Sequence, residues 1–189
     1  IDSSIKHGAI AIILEEDIND PISDITYIKV SNSSKALAVL SSNFFDHPSS
    51  KLKLIGITGT NGKTSTAYYT FSLLKKLNFR VGLISTIEII IHDQSFPSKY
   101  TTPDSLAINR TLYDMVEQKC DICVMEVSSH GLSQSRVYNL NFDVAVFTNL
   151  TRDHLDFHKT FANYLTAKKI FFDQLSESAI SIINKDDDY

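Results

Sequence analysis

The chain has 189 residues, 43% hydrophobic and 21% charged, with a net charge of −4, which suits a globular domain with a sizeable core plus a piece of another. The acidic balance and the absence of a basic block argue against nucleic acid as the main partner. No apolar run approaches the roughly 20 residues needed to span a bilayer, and no signal peptide opens the chain.

In chain order, Ala9 to Leu14 is a short apolar run and Ile25 to Val30 has the β-branched bias of a strand. Ser33 or Ser34 is expected to cap a helix through about Phe45, with Ala36, Leu37, Leu40 and Phe44 spaced for one face. His47-Pro48-Ser49-Ser50 breaks this pattern and reads as a linker, so a domain boundary is placed there. From Leu52 the order becomes strand, loop and helix, repeated. Leu52–Thr58 reads as a strand, Lys63–Leu77 as a helix carrying Tyr68, Phe71 and Leu74, and Val81–Ile91 as one extended stretch. A helix over Asp104–Gln118 follows Pro103, with Asp104 near its positive end. Asp121–Val127 and Phe142–Phe147 are buried-strand candidates, Tyr164–Leu175 a helix and Ala179–Asn184 a final strand. This alternation predicts an α/β fold, a mostly parallel sheet flanked by helices. The chain begins at Ile1 without a methionine and stops at Tyr189 just after a strand, and so reads as a segment of a longer protein.

The densest chemistry lies at residues 55 to 65, Ile-Gly-Ile-Thr-Gly-Thr-Asn-Gly-Lys-Thr-Ser. Gly59 and Gly62 let the backbone turn tightly and bring N–H groups near phosphate oxygens, Lys63 offers a point charge to the outer phosphates, and Thr64 offers a hydroxyl for Mg²⁺. The helix starting near Gly62 adds its positive end. The strict P-loop pattern asks for glycine five positions before Gly62, where Ile57 stands and Gly56 comes one residue too early. The stretch is a P-loop variant.

Two further polar clusters follow strands, where ligands of parallel sheets bind. Glu126-Val-Ser-Ser-His-Gly131 ends one strand. A carboxylate there, facing a P-loop, suits a magnesium ligand, although pairing with a lysine or capping the next turn is equally open. Ser128, Ser129 and His130 are turn formers as readily as site residues, and the missing glycine before the serine excludes a hydrolase elbow. Asp153, His154, Asp156 and His158 crowd the loop after another strand; metal binding, substrate orientation and simple solvation all remain open, and His158 is treated as neutral. Tyr100-Thr-Thr-Pro-Asp104 places two hydroxyls at a helix start, to hold an anion or merely to cap. Lys168, on a later helix, is by itself an ordinary helix lysine. Cys120 and Cys123 have no second pair to complete a zinc site, and read as buried thiols in an intracellular, reducing setting.

Taken together, Gly59-Thr-Asn-Gly-Lys-Thr-Ser65, Thr101-Thr-Pro103, Glu126-Val-Ser-Ser-His-Gly-Leu132, Gln134-Ser-Arg136 and Asn149-Leu-Thr-Arg-Asp-His-Leu-Asp156 resemble, in this order, the Mur ligase family of ATP-dependent amide-forming enzymes. The resemblance spans essentially the whole chain; it is specific between 52 and 170 and looser over the first 48 residues. The block starting at Glu126 is most similar to the branch that adds the third amino acid to a muramoyl dipeptide.

The resemblance implies a family of three domains, of which residues 1–48 would be part of the N-terminal uridine-nucleotide-binding domain and 49–189 an incomplete central ATP-binding domain. The C-terminal domain, which closes over the amino acid, would be absent, leaving the segment alone inactive. It further implies a cytoplasmic, monomeric ligase of peptidoglycan precursor synthesis that uses ATP and Mg²⁺. Its substrates would be UDP-N-acetylmuramoyl-L-alanyl-D-glutamate and an amino acid, left open, joined through an acyl phosphate. By the same resemblance Gly59, Thr60, Asn61, Gly62, Lys63, Thr64 and Ser65 bind the nucleotide, with Lys63 also stabilising the transferring group. Thr64 and Glu126 hold Mg²⁺, His154 stands at or beside a second ion, and Lys168 matches a lysine that becomes carbamylated and so a magnesium ligand. Thr101, Thr102, Ser128, Gln134 and Arg136 match positions that grip the muramoyl peptide, while Tyr100 replaces an expected asparagine. The competing readings are a folylpolyglutamate- or cyanophycin-type ligase of the same superfamily, and a P-loop protein using ATP only as a switch.

Overall fold

A computed structural model describes residues 1–189, arranged around a two-stranded sheet and a seven-stranded one. After the short helix α1 (Asp2–Lys6), strands β1 (Ala11–Leu14) and β2 (Thr26–Lys29) pair in parallel and lead to helix α2 (Ser33–Phe44). The cap of α2 is Asn32, not Ser33 or Ser34: Asn32 has extended backbone and its side chain accepts the Lys35 N–H at 2.7 Å. The buried side chains of α2 are the small ones, Ala38, Ser41 and Ser42, where the helix lies along a later helix, α4 (Ser105–Glu117). The expected apolar face is therefore turned outward: Leu37, Leu40 and Phe44 are exposed and, with Leu106, line an open groove.

One 3₁₀ turn, Pro48–Ser50, then leads into the large sheet. Its elements are β3 (Lys53–Thr58), α3 (Lys63–Lys76), β4 (Val81–Ile84), β5 (Glu88–Ile91), β6 (Gln94–Pro97), α4, β7 (Ile122–Glu126), α5 (Ser129–Ser133), β8 (Val144–Phe147), α6 (Leu155–His158), α7 (Phe161–Asp173) and β9 (Ile180–Ile183). The strand order is β6-β5-β4-β7-β3-β8-β9, parallel from β4 to β9, with β5 and β6 antiparallel at one edge. The stretch Val81–Ile91 is thus a hairpin and not one strand. Ser85 folds it back: its backbone N–H donates to the Glu88 carbonyl at 3.1 Å, and its hydroxyl donates to the same carbonyl at 2.8 Å and accepts the N–H groups of Ile87 and Glu88.

The central strands alternate between two cores with the period of two that a sheet imposes. Ile57, Leu83 and Val124 pack with Ala67 and Phe71 of α3 on one face. Leu54, Ile84, Cys123 and Met125 pack with Met115 of α4 and Phe171 of α7 on the other. Gly56 belongs to this second face: a Cβ there would meet Phe171 Cζ at 2.4 Å and Phe142 Cε1 at 2.7 Å. It is a packing glycine, which explains why it stands one residue early for a phosphate loop. Cys120 and Cys123 are buried free thiols, and desolvation pushes the Cys123 thiol far above its ordinary pKa. No helix is long and apolar enough to cross a membrane.

Candidate active site

Strands β4, β7, β3 and β8 are consecutive neighbours and parallel, so the loops leaving their carboxyl ends gather at one edge. These loops carry Gly59–Gly62, Ser85–Ile87, Val127–Arg136 and Thr148–His154. The separate sequence clusters meet for this topological reason.

The glycine loop is held by the loop after β8. The Thr60 N–H donates to the Asn149 carbonyl at 2.8 Å and the Asn61 N–H to Asn149 Oδ1 at 2.9 Å. The Asn61 carbonyl accepts from Thr148 Oγ1 at 2.7 Å and from Asn149 Nδ2 at 3.1 Å. Only glycine fits at position 59, where φ is +149° and a Cβ would lie 1.9 Å from Thr148 Oγ1. Helix α3 then opens at Gly62, φ 85°, with no side-chain cap, leaving its first N–H groups to a ligand. Asn61 thus serves the site through its backbone, and Ser65 is exposed on the first turn of α3.

Glu126 ends β7 opposite Ile57 and is fully buried. Its carboxylate accepts from Thr64 Oγ1 at 2.9 Å, from the Thr86 N–H at 2.8 Å and from Thr86 Oγ1 at 3.2 Å. No lysine, arginine or histidine pairs with it, and the turn that follows is capped by Ser128. Both competing roles for Glu126, ion pairing and capping, are excluded. A buried carboxylate with no cation at ion-pair distance, beside a threonine hydroxyl, fits a hard divalent ion. No three His, Cys, Asp or Glu side chains converge as a metal cluster, so such an ion would draw its remaining ligands from phosphates and water, as magnesium does.

Next to this pair lies an open cavity of about 270 Å³, lined by Gly59, Lys63, Lys168, Arg136, His130 and His154 among others. Lys63 Nζ donates to the carbonyls of Gly59 and Thr60 at 2.9 and 2.8 Å. Burial holds its pKa below the ordinary value, with Glu126 and Asp153 pulling the other way. Lys168, only 2% exposed, donates to the same Gly59 carbonyl at 2.8 Å. Burial first, and the Lys63 charge second, bring its pKa down to about 7. The His154 ring meets the His130 ring edge-on at 4.9 Å, and His154 does not bond to Glu126. Burial and His154 lower the pKa of His130.

Four of the five positions matched to peptide binding, Thr101, Thr102, Ser128 and Arg136, line the same cavity, with different freedoms. Thr101 lines the cavity, and its Oγ1 lies 3.0 Å from Thr86 Oγ1. The buried Thr102 hydroxyl is already committed, donating to the Glu126 carbonyl and accepting the Ser128 N–H, both at 2.9 Å. Ser128 lines the cavity while its Oγ accepts the Gly131 N–H. Arg136 is anchored by Nη1 to the Thr102 carbonyl at 2.6 Å and by Nε to Gln134 Oε1 at 2.9 Å. Gln134 itself is outside the cavity lining and reaches the site through Arg136. Tyr100 stacks its ring 5.5 Å from the Arg136 guanidinium, a contact an asparagine cannot make.

Sequence reasoning missed Thr86, whose signal was a Ser-Thr pair interrupting a β-branched run. It also missed Tyr164, at the start of the Tyr-x-x-x-Lys spacing on α7, and the clamping role of Thr148 and Asn149. His158, read as neutral, is buried with Nε2 3.0 Å from Ser129 Oγ, tying α6 to α5.

An open, mostly parallel sheet, an uncapped helix behind a glycine loop, and a Thr–Glu pair beside a cationic cavity give the chain the architecture of the P-loop class. The Mur ligase middle domain matches residues 57–189, more than two thirds of the chain, and the chain belongs to that family. It is 50% identical over 189 residues to UDP-N-acetylmuramoyl-L-alanyl-D-glutamate–2,6-diaminopimelate ligase 1 of Clostridium acetobutylicum, covering 100% of this chain and 38% of that protein. It is 48% identical over 185 residues to the ligase of the same name, without the numeral, from Cytophaga hutchinsonii, covering 97% of this chain and 38% of that protein. A solved structure of a UDP-N-acetylmuramoyl-L-alanyl-D-glutamate–2,6-diaminopimelate ligase superposes with a TM-score of 0.79 at 26% identity, over 99% of this chain and 37% of that one. The chain spans about two fifths of the length of the curated relatives it matches.

Proposed function

We propose that the protein carrying this chain is an ATP-dependent ligase that joins 2,6-diaminopimelate to the D-glutamyl carboxylate of UDP-N-acetylmuramoyl-L-alanyl-D-glutamate. The observation that carries this reading is the meeting, around one cavity, of Lys63, Lys168 and Arg136 next to the Thr64–Glu126 pair. Cations around one cavity can hold a carboxylate against a phosphoryl donor. The names of the relatives supply the substrate class. We read residues 1–48 as part of a uridine-nucleotide-binding domain and 49–189 as the ATP-binding one, and the separate sheets of the two stretches support the division.

In this account Gly59 to Ser65 surround the ATP phosphates, and Lys63 leaves the loop carbonyls for the outer phosphates. A carboxylate oxygen of the substrate attacks the γ-phosphorus and ADP departs, leaving an acyl phosphate. The neutral amine of diaminopimelate then attacks the acyl carbon, phosphate leaves, and the amine nitrogen loses its proton. Activation is required because a carboxylate is a poor electrophile, and positioning with charge neutralisation supplies most of the rate. Thr64 and Glu126 would hold Mg²⁺, with His154 and a carbamylated Lys168 at or beside a second ion; the ion neutralises phosphate charge. A Lys168 amine with a pKa of about 7 is about half uncharged at neutral pH, and carbamylation draws on that uncharged form. Arg136 pairs with an anionic group of the muramoyl peptide, Thr101 and Ser128 face it, and Thr102 and Gln134 fix Arg136.

The test is ADP release by the full-length protein with each substrate omitted in turn. The reading expects turnover only when the muramoyl dipeptide and diaminopimelate are both present. Equal turnover with a folate or with no acceptor overturns it.

A further inference from the structure

We propose, resting on the ligase reading above, that Tyr100 is a positioning residue whose ring holds the Arg136 guanidinium ready for the anionic end of the muramoyl dipeptide. Arg136 is gripped from three directions. Its Nη1 donates to the Thr102 carbonyl at 2.6 Å, its Nε donates to Gln134 Oε1 at 2.9 Å, and its Cζ lies 5.5 Å from the centroid of the Tyr100 ring. Two of these grips come from one short segment, the ring of residue 100 and the carbonyl of residue 102.

The three contacts differ in what they restrain. A guanidinium donates in its own plane, so Thr102 and Gln134 fix two of its edges and leave it free to tilt about the line joining them. An aromatic face beside the cation opposes that tilt. Of the five N–H donors a guanidinium carries, two are spent inside the protein, and both protons of Nη2 are among those left for a ligand. Arg136 lines the cavity and has no carboxylate within ion-pair distance, so its charge is unanswered until an anion arrives. The fold itself does not account for the Tyr100 side chain. Tyr100 lines the same cavity, is 59% exposed, and is bonded through its carbonyl, which accepts the Ser98 hydroxyl at 2.9 Å. A ring left so far in water adds little by burial. What it supplies is order: a guanidinium already held in place loses less freedom when the ligand binds, and the saving appears as affinity.

The test is calorimetry of UDP-N-acetylmuramoyl-L-alanyl-D-glutamate binding to the full-length protein, with magnesium and a non-hydrolysable ATP analogue present. Tyr100→Leu weakens binding about threefold, the scale of an exposed cation–π contact. Tyr100→Phe, which returns the ring without the phenol, recovers that loss. In an Arg136→Ala background Tyr100→Leu has no further effect. A ring that merely packs, or that touches the ligand directly, acts whether or not Arg136 is there. The assignment is overturned if Tyr100→Leu binds as the wild type does, or if Tyr100→Phe loses as much as Tyr100→Leu, which would make the phenol the working group. It is overturned equally if the Leu effect survives beside Arg136→Ala, or if Tyr100→Leu loses its fold by circular dichroism. Wild-type protein that binds no dipeptide overturns the ligase reading and this assignment with it, whereas normal wild-type binding with an unaltered Leu variant overturns this assignment alone.

Discussion

Lys63 and Lys168 share one acceptor: both Nζ atoms donate to the Gly59 carbonyl, at 2.9 and 2.8 Å. Burial first, and the repulsion of the neighbouring Lys63 charge second, bring the pKa of Lys168 down to about 7. The glycine loop thus stores a cationic pair that an incoming polyphosphate relieves.

This pair sets a pH dependence of stability. Lys168 has an ordinary pKa of 10.5 when unfolded and about 7 when folded. Between those values the unfolded chain binds more protons, so stability rises with pH from about 7 to about 10 and is independent of this group below 7. Lys63, shifted in the same direction, adds to the slope. Thermal melts of full-length protein without nucleotide or magnesium should show the rise. Lys168→Met should reduce the slope and raise the melting temperature at neutral pH; an unchanged slope contradicts the assignment.

Two substitutions at Glu126 separate its structural and chemical parts. Glu126→Ala leaves the Thr86 N–H without its charged acceptor and should cost about 1–3 kcal/mol in a denaturant titration. Glu126→Gln keeps one acceptor oxygen and should cost less. It nonetheless removes the anionic partner of Thr64, and magnesium-dependent turnover should fall roughly 100-fold or more. Turnover by the Gln variant near the wild-type level contradicts the metal-holding role.

Gly59→Ala should abolish nucleotide binding and destabilise by about 1–3 kcal/mol from backbone strain alone. The added Cβ meets Thr148 Oγ1 at 1.9 Å and Asn149 N at 3.1 Å. Combining it with Thr148→Ala should not restore binding, since the positive φ and the Asn149 contact persist. Full rescue by the double variant, read by calorimetry with ATP, contradicts this.

Arg136→Lys should raise the KM for the muramoyl dipeptide about tenfold or more, because a lysine cannot bond Thr102 and Gln134 while presenting a planar fork. Gln134→Ala, which frees only Nε, should have a smaller effect of about threefold. ATP affinity should be unchanged in both, and a parallel loss of ATP affinity argues against a substrate role for these residues.

The parallel sheet and most helices were legible because each rests on local pattern: β-branched runs, Asp104 before a helix, and glycine, lysine and threonine after a strand. The α2 face was misread because periodicity reports which residues share a side and not which neighbour covers it. The Val81–Ile91 hairpin was missed because its turn is held by the backbone and hydroxyl of Ser85 and carries no glycine or proline. At the site, Gly59 to Thr64, Glu126 and Arg136 were readable from residue chemistry and resemblance. Thr86 and Tyr164 were not, since their roles arise from tertiary placement, which brings Thr86 to Glu126, 40 positions on, and Tyr164 to Thr60, 104 positions back.

The most direct measurement follows oxygen. Full-length protein is given ATP, diaminopimelate and UDP-N-acetylmuramoyl-L-alanyl-D-glutamate labelled with ¹⁸O in the reacting carboxylate, and the phosphate and peptide products are weighed by mass spectrometry. Activation as an acyl phosphate predicts that one ¹⁸O atom of each carboxylate leaves in the phosphate and that the peptide gains one diaminopimelate. Phosphate released without label would contradict the account.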